Sequence, residues 1–151
     1  VPGKEPKKLA ELLPDSFGPD NLDIDLLIYE KRDNKIKNHQ KDELVKAAME
    51  AANSSYAPYS KSFSGAAIRT NDGKIYTGFY IENAAFNPSM QPLTAAVINL
   101  LGNGKSYKDI KEARLVELKN APVKQSKVSR ALLKSIARKA KLKTITIDKD
   151  K

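Results

Sequence analysis

A chain of 151 residues with a formal net charge of +9 is long enough to bury one core, and it is set apart by what it lacks. It has no cysteine, which excludes disulfides, thiolate metal sites and a cysteine nucleophile. Its one histidine, His39, sits in the polar run Asn34–Lys41 and reads as a solvated loop residue, so a metal site would need carboxylates, a donor set that suits Mg²⁺ or Ca²⁺.

No run approaches the length of a membrane span and the N-terminal residues do not read as a signal peptide, so the expected location is the cytoplasm and no membrane partner is expected. The first residue is not Met, and the chain reads as a processed product or a piece of something longer. Lys and Arg crowd the stretch Lys124–Lys151 without interleaved aromatics or a nucleic-acid motif. That pattern reads as solvated surface, and nucleic acid is not expected as a partner.

In chain order, Val1–Lys8 reads as a Pro/Gly/Lys-rich tail. Leu9–Leu13 offers one helical turn, stopped by Pro14, and Phe17-Gly18-Pro19 is a turn. Asp23–Glu30 is a short apolar run expected to lie extended on the domain, and Lys31–Gln40 is a charged, flexible loop. From Asp42 the pattern changes. Asp42 is a plausible N-cap, and Leu44, Val45, Ala48, Met49 and Ala52 mark one face of a helix to about Asn53.

Tyr56–Ser60 is a loop. Phe63–Thr70 and Ile75–Ile81 are strands joined by the hairpin signal Asn71-Asp72-Gly73. Small Gly65, Ala66 and Ala67 imply that something packs tightly on the first strand. A helix starts at Met90 or Gln91, with Pro92 in its first turn, and Gly102 to Gly104 stop it. Ala113–Leu118 is a third strand, Ser129–Ala140 a further helix and Thr144–Ile147 a last strand. Helices interleaved with strands give an α/β class, a mixed sheet covered by helices.

The motifs Tyr56-Ala57-Pro58-Tyr59-Ser60, Gly65-Ala66-Ala67, Asp72-Gly73-Lys74-Ile75-Tyr76-Thr77-Gly78 and Glu82-Asn83-Ala84 resemble the cytidine deaminase family, in order and at its spacing. The resemblance implies the three-layer fold of that family. It also implies hydrolysis of cytidine to uridine and ammonia by a zinc-bound hydroxide, with a Glu moving protons.

Carried over position by position, the first zinc ligand falls on Gln91 and the proton-shuttling Glu on Leu93. Pro122 matches the Pro of the Pro-Cys-x-x-Cys motif, which puts its two thiolates at Val123 and Ser126. The base-stacking Phe falls on Ser62, the Asn two residues before the ribose-binding Glu on Tyr80, and that Glu remains as Glu82. No catalytic group and no metal ligand is therefore expected in this chain. Zinc would belong to the catalytic domain of a presumed parent enzyme.

Leu13–Pro19, Tyr59–Ser62, Glu82–Pro88 and Pro122–Gln125 look like the second, zinc-less C-terminal domain of the large homodimeric cytidine deaminases. That resemblance implies a connector over 1–40 packing on the domain, and a deaminase-like domain lacking the zinc site over 41–151. It implies a non-catalytic domain that supports dimer packing and closes the partner subunit's nucleoside pocket. Its partners would be the catalytic domain, the second subunit and the shared nucleoside, with Ala85 and Phe86 as substrate contacts in trans. A free-standing deaminase-like module that binds a ligand, a protein or RNA is the alternative.

Each of these residues also has a structural reading. Glu82 can accept backbone N–H bonds and fix a loop, Tyr56 and Tyr59 can be packing residues with wet hydroxyls, and Phe86 can anchor a turn. Glu82, Glu117 and Asp109 form no recognisable carboxylate spacing, and Asp148 and Asp150 read as surface charge.

Overall fold

The computed structural model describes residues 3, 5–25, 28–37 and 41–149. His39, Asp150, and Leu26 and Leu27 of the run expected to be extended lie outside the described residues. Among the described residues four strands form one sheet: β1 Ser64–Thr70, β2 Ile75–Phe79, β3 Ile110–Leu118 and β4 Lys141–Ile147. Their order is β2-β1-β3-β4. β1 is antiparallel to both neighbours and β4 is parallel to β3, so the sheet is mixed, as expected for the α/β class.

The helices are α1 Leu9–Leu12, α2 Glu43–Asn53, α3 Pro92–Gly102 and α4 Ser126–Ile136. Alternation along the strands decides which helix covers which face. Ala67 and Val116 pack with Leu44, Val45, Ala48 and Ala52 of α2. Ala66, Ile68, Tyr76 and Leu115 pack with Leu93, Ala96 and Leu100 of α3 and Leu133 of α4. The result is three layers, with α2 on one side and α3 and α4 on the other.

Two glycines set the spacing of these layers. A methyl group on Gly65 would sit 2.2 Å from Ala52 N and 2.4 Å from Ala48 O of α2. One on Gly78 would sit 2.2 Å from Ala96 N and 2.5 Å from Pro92 O of α3. Both helices therefore rest on the sheet at backbone contact, closer than any side chain allows.

α2 starts where its first N–H groups find an acceptor. Asp42 Oδ1 accepts from Leu44 N at 2.9 Å and Val45 N at 3.4 Å, and Oδ2 lies 3.4 Å from Arg114 Nε. Burial pushes the Asp42 carboxyl up, but these two backbone bonds and the Arg114 guanidinium outweigh it and hold it below its ordinary value.

Several boundaries differ from expectation, each for a nonlocal reason. β3 begins at Ile110, three residues early, because Thr70 of β1 still pairs there. α4 begins at Ser126 and not Ser129, since the buried Glu117 carboxylate accepts the Gln125 N–H at 2.8 Å just ahead of it. It ends at Ile136 and not Ala140, where Ala137 to Ala140 turn the chain into β4. β4 starts at Lys141 and not Thr144, because Leu142 pairs with Ala113.

β2 stops at Phe79, and Ile81 continues only as isolated bridges to Tyr56 and Met90. The described part of 23–30 forms turns instead of an extended piece: Asp23 is left-handed at φ 53° and Tyr29 is exposed. The described part of the charged run after it, residues 31–37, is no free loop. Ile36 enters the core, and the Asn34 side chain donates to Ser55 O at 2.9 Å. None of the helices among the described residues is long and apolar enough to cross a membrane.

Two stability outcomes follow from this packing. Gly78→Ala should push α3 off the sheet and destabilise by about 1–3 kcal/mol, read as a lower melting temperature, while Gly102→Ala, where an added methyl meets nothing within 4 Å, serves as the control. Asp42→Ala should cost about 1 kcal/mol near neutral pH. Because the folded-state pKa is lowered, the Asp42 contribution is present above the ordinary carboxylate pKa and is lost as pH falls through the folded value. Urea melts of wild type and variant should therefore converge in acid.

Candidate functional site

Part of the expected site comes together where α3 and α4 begin. A cleft of about 260 Å³ is lined by Tyr80, Phe86, Gln91, Val123 and Gln125, among others. Gln91 is the residue preceding α3, and its side chain makes no capping bond. Ser126 opens α4. Leu93 is not part of this cleft: it is fully buried in the apolar layer between α3 and the sheet. Ser62 is buried, and its Oγ accepts from Val123 N at 3.1 Å. The positions that the resemblance assigns to base stacking and to a metal ligand are thus bonded to each other.

The loop after β2 forms the outer wall. Asn83 Oδ1 accepts from Ala85 N at 2.9 Å, and Asn83 O accepts from Phe86 N at 2.9 Å. Asn83 N in turn donates to Ser89 Oγ at 3.0 Å. This internal bonding holds Phe86 in the left-handed region at φ 60°, uncommon for an aromatic residue, and the residue is 56% exposed. Ala85 beside it is exposed.

Glu82 is 4% exposed, and its Oε2 accepts from Tyr59 N at 2.9 Å and Ser60 N at 3.0 Å. In this structure its carboxylate holds the 56–60 loop against the end of β2. It also borders a second cleft of about 310 Å³, lined with Tyr56, Tyr59, Phe17 and Tyr29. Burial, with Tyr56 and Glu82 close by, raises the Tyr59 phenol above its ordinary value.

Sequence reasoning gave three groups no working place in the site: Tyr80 was read only as a replaced ribose-site position, Glu117 only as a carboxylate without a recognisable spacing, and Gln125 only as part of a motif. Tyr80 is 1% exposed, lines the first cleft, and its hydroxyl has no partner at hydrogen-bonding geometry. Burial raises its phenol above the ordinary value, offset in part by the Ser89 hydroxyl and reinforced by the Glu82 carboxylate. Gln125 is buried in the cleft floor, and Glu117 is buried behind it. A Tyr at the end of a strand carries no sequence signal that its hydroxyl is unpaired. Glu117 stands eight residues before the N–H it accepts, beyond any local capping pattern.

Comparison with known proteins agrees on one family. Residues 9–130 match the family model described as the cytidine and deoxycytidylate deaminase zinc-binding region. A protein named cytidine deaminase from Serratia proteamaculans (strain 568) is 46% identical over 136 residues, covering 90% of this chain and 46% of that protein. One from Cronobacter sakazakii (strain ATCC BAA-894) is 46% identical over 140 residues with the same coverage. The chain thus spans about half the length of the curated relatives it matches. Among solved structures, cytidine deaminase from Mycobacterium leprae is similar at 28% identity and a TM-score of 0.57, covering 71% of this chain and 89% of that one. Cytidine deaminase from Burkholderia pseudomallei matches at 28% identity and a TM-score of 0.56, covering 63% and 75%.

These matches correct one expectation. The reading as a non-catalytic domain that packs a dimer and closes a partner's pocket is overturned: the region matched is the zinc-binding one, and the relatives along 90% of the chain are named for the activity. The residues at the expected ligand positions nevertheless do not fit zinc. Val123 offers no donor atom, Leu93 is apolar and buried, and Gln91 and Ser126 offer only a neutral amide and a hydroxyl. Among the described residues no three of His, Cys, Asp and Glu lie close enough to hold a metal. No reaction step is derived through zinc on these side chains.

The unpaired Tyr80 hydroxyl gives a direct check. Tyr80→Phe removes a buried polar atom without a partner and keeps the ring, so it should raise stability by about 1 kcal/mol in chemical unfolding. A loss of comparable size would mean that the hydroxyl is satisfied in solution.

Proposed function

We propose, because the chain belongs to the cytidine deaminase family, that the protein carrying it hydrolyses cytidine or deoxycytidine to the corresponding uridine and ammonia. The observation that carries this reading is 46% identity across 90% of the chain to proteins named for that activity. The chain supplies about half the length of such a protein, which supports the large, homodimeric type as its setting. In this reading residues 1–40 connect and 41–151 form the deaminase-like domain, with Ile36 and Asn34 fastening the connector to it. The protein works in the cytoplasm, in pyrimidine salvage.

In this reading the loop after β2 is the part of this chain that meets the nucleoside. Ala85 and Phe86, exposed on a self-bonded loop, are placed against it. Glu82 keeps the neighbouring loop in position. Zinc is not placed on Gln91, Leu93, Val123 or Ser126.

The test is ammonia release. The full-length protein should convert cytidine to uridine with equimolar ammonia, and absence of turnover on both cytidine and deoxycytidine would sink the reading. Phe86→Ala in that protein should raise KM roughly tenfold, equivalent to about 1.4 kcal/mol of lost contact, with a smaller effect on kcat. Unchanged kinetics would remove the loop from the nucleoside site.

A further inference from the structure

The cations of the last third do not spread evenly over the surface. Residues 119–149 hold ten Lys and Arg against a single acid, Asp148. Arg130, Lys134 and Arg138 follow one another at four-residue steps along α4 and the turn after it. On a helix, four residues advance about 6 Å on nearly the same face. The turn Ala137–Ala140 then brings Lys141, at the start of β4, to the same place.

The space between these elements is concave. One cleft of about 480 Å³ is lined by Arg130, Lys134, Arg138 and Lys141. A second, of about 310 Å³, is lined by Tyr107, Lys108, Arg138 and Lys139. They share Arg138 and Ala140 and so adjoin, forming a basic groove. The ion pairs among the described residues engage Arg69, Lys105 and Arg114, and none of the groove cations. One aromatic ring, Tyr107, lines the groove and is 43% exposed.

We propose that this groove binds a single-stranded nucleic acid, holding its phosphates without reading its bases. Unpaired cations one helical turn apart match the repeat of charges along an extended strand. An exposed ring beside them offers a stacking surface for one base. The concavity favours a strand over a flat bilayer. The groove lies by the C-terminal half of α4, whereas the nucleoside cleft lies at its N-terminal end, so the two sites are separate.

The probe is a labelled single-stranded oligonucleotide of mixed sequence, about a dozen nucleotides long, followed by fluorescence anisotropy with this chain. Binding is expected, with a log–log salt slope of about −3 if four phosphates are neutralised. Replacing Arg130, Lys134, Arg138 and Lys141 together by Glu should weaken it roughly a hundredfold or more, the salt slope falling toward zero. A control with the same net charge, Lys7, Lys8, Lys37 and Lys74 replaced by Glu, should change affinity only a few-fold. Circular dichroism confirms that both variants are folded. An equal loss in the control would reduce the effect to net charge and overturn the proposal. Binding to anionic lipid vesicles but not to the oligonucleotide would overturn it as well.

Discussion

The architecture depends on two places where a helix backbone touches the sheet. Gly65 and Gly78 leave no room even for a methyl group, so α2 and α3 are set by backbone contact and not by the size of interposed side chains. The consequence reaches the cleft. Gly78 meets Pro92 O and Ala96 N, which lie in the first two turns of α3, and Gln91 immediately precedes them. The position of Gln91 relative to Tyr80, two residues beyond Gly78, is therefore fixed by the tightest packing in the molecule. On the other face, Gly65 locates the C-terminal end of α2, from which the Tyr56 loop departs toward Glu82.

Two buried carboxylates then hold the loops that frame the cleft. A polar group removed from water needs hydrogen bonds in exchange, and both Glu82 and Glu117 receive them from backbone N–H groups. Glu82 binds the 56–60 loop. Glu117 binds the chain just before α4, where it also faces the positive end of the helix. Ser62 Oγ completes the frame by accepting from Val123 N. These bonds use the polar groups around the cleft on the protein's own backbone, and the unpaired Tyr80 hydroxyl stands out against them. A buried side chain with polar capacity to spare is a place where a small polar ligand gains a bond at little cost.

Much of this was legible in the residues, and the reason differs by element. Asp42 as a cap, the Asn71-Asp72-Gly73 hairpin and Pro92 in a first helical turn are local signals, and each lies where it was read. The small residues of β1 announced a close helix, because only small residues permit one. What was missed is nonlocal. The start of α4 is set by a carboxylate on β3, the extent of β4 by its parallel partner, and the burial of Ile36 by a helix that follows it in the chain. The site positions were legible as a group only through the family resemblance. That Leu93 belongs to the core while Gln91 and Val123 share a cleft required the fold.

The charge pattern illustrates the same limit from the other direction. Counted along the chain, the lysines of the last third look like ordinary solvated surface. In the fold, α4 docks through Leu133, which turns Arg130 and Lys134 outward on one side, and a four-residue turn adds Lys141 from the next strand. Part of this arrangement serves the helix itself, since Lys134 in its last turn offsets the negative end of the helix dipole. That role accounts for one cation near the terminus. It does not account for Arg130 on an earlier turn, for Lys141 on a neighbouring strand, or for the absence of acids across the stretch that holds them. Like charges gathered in one concave place repel one another, and a counter-charge that lies along the groove relieves that repulsion more completely than dispersed salt ions do.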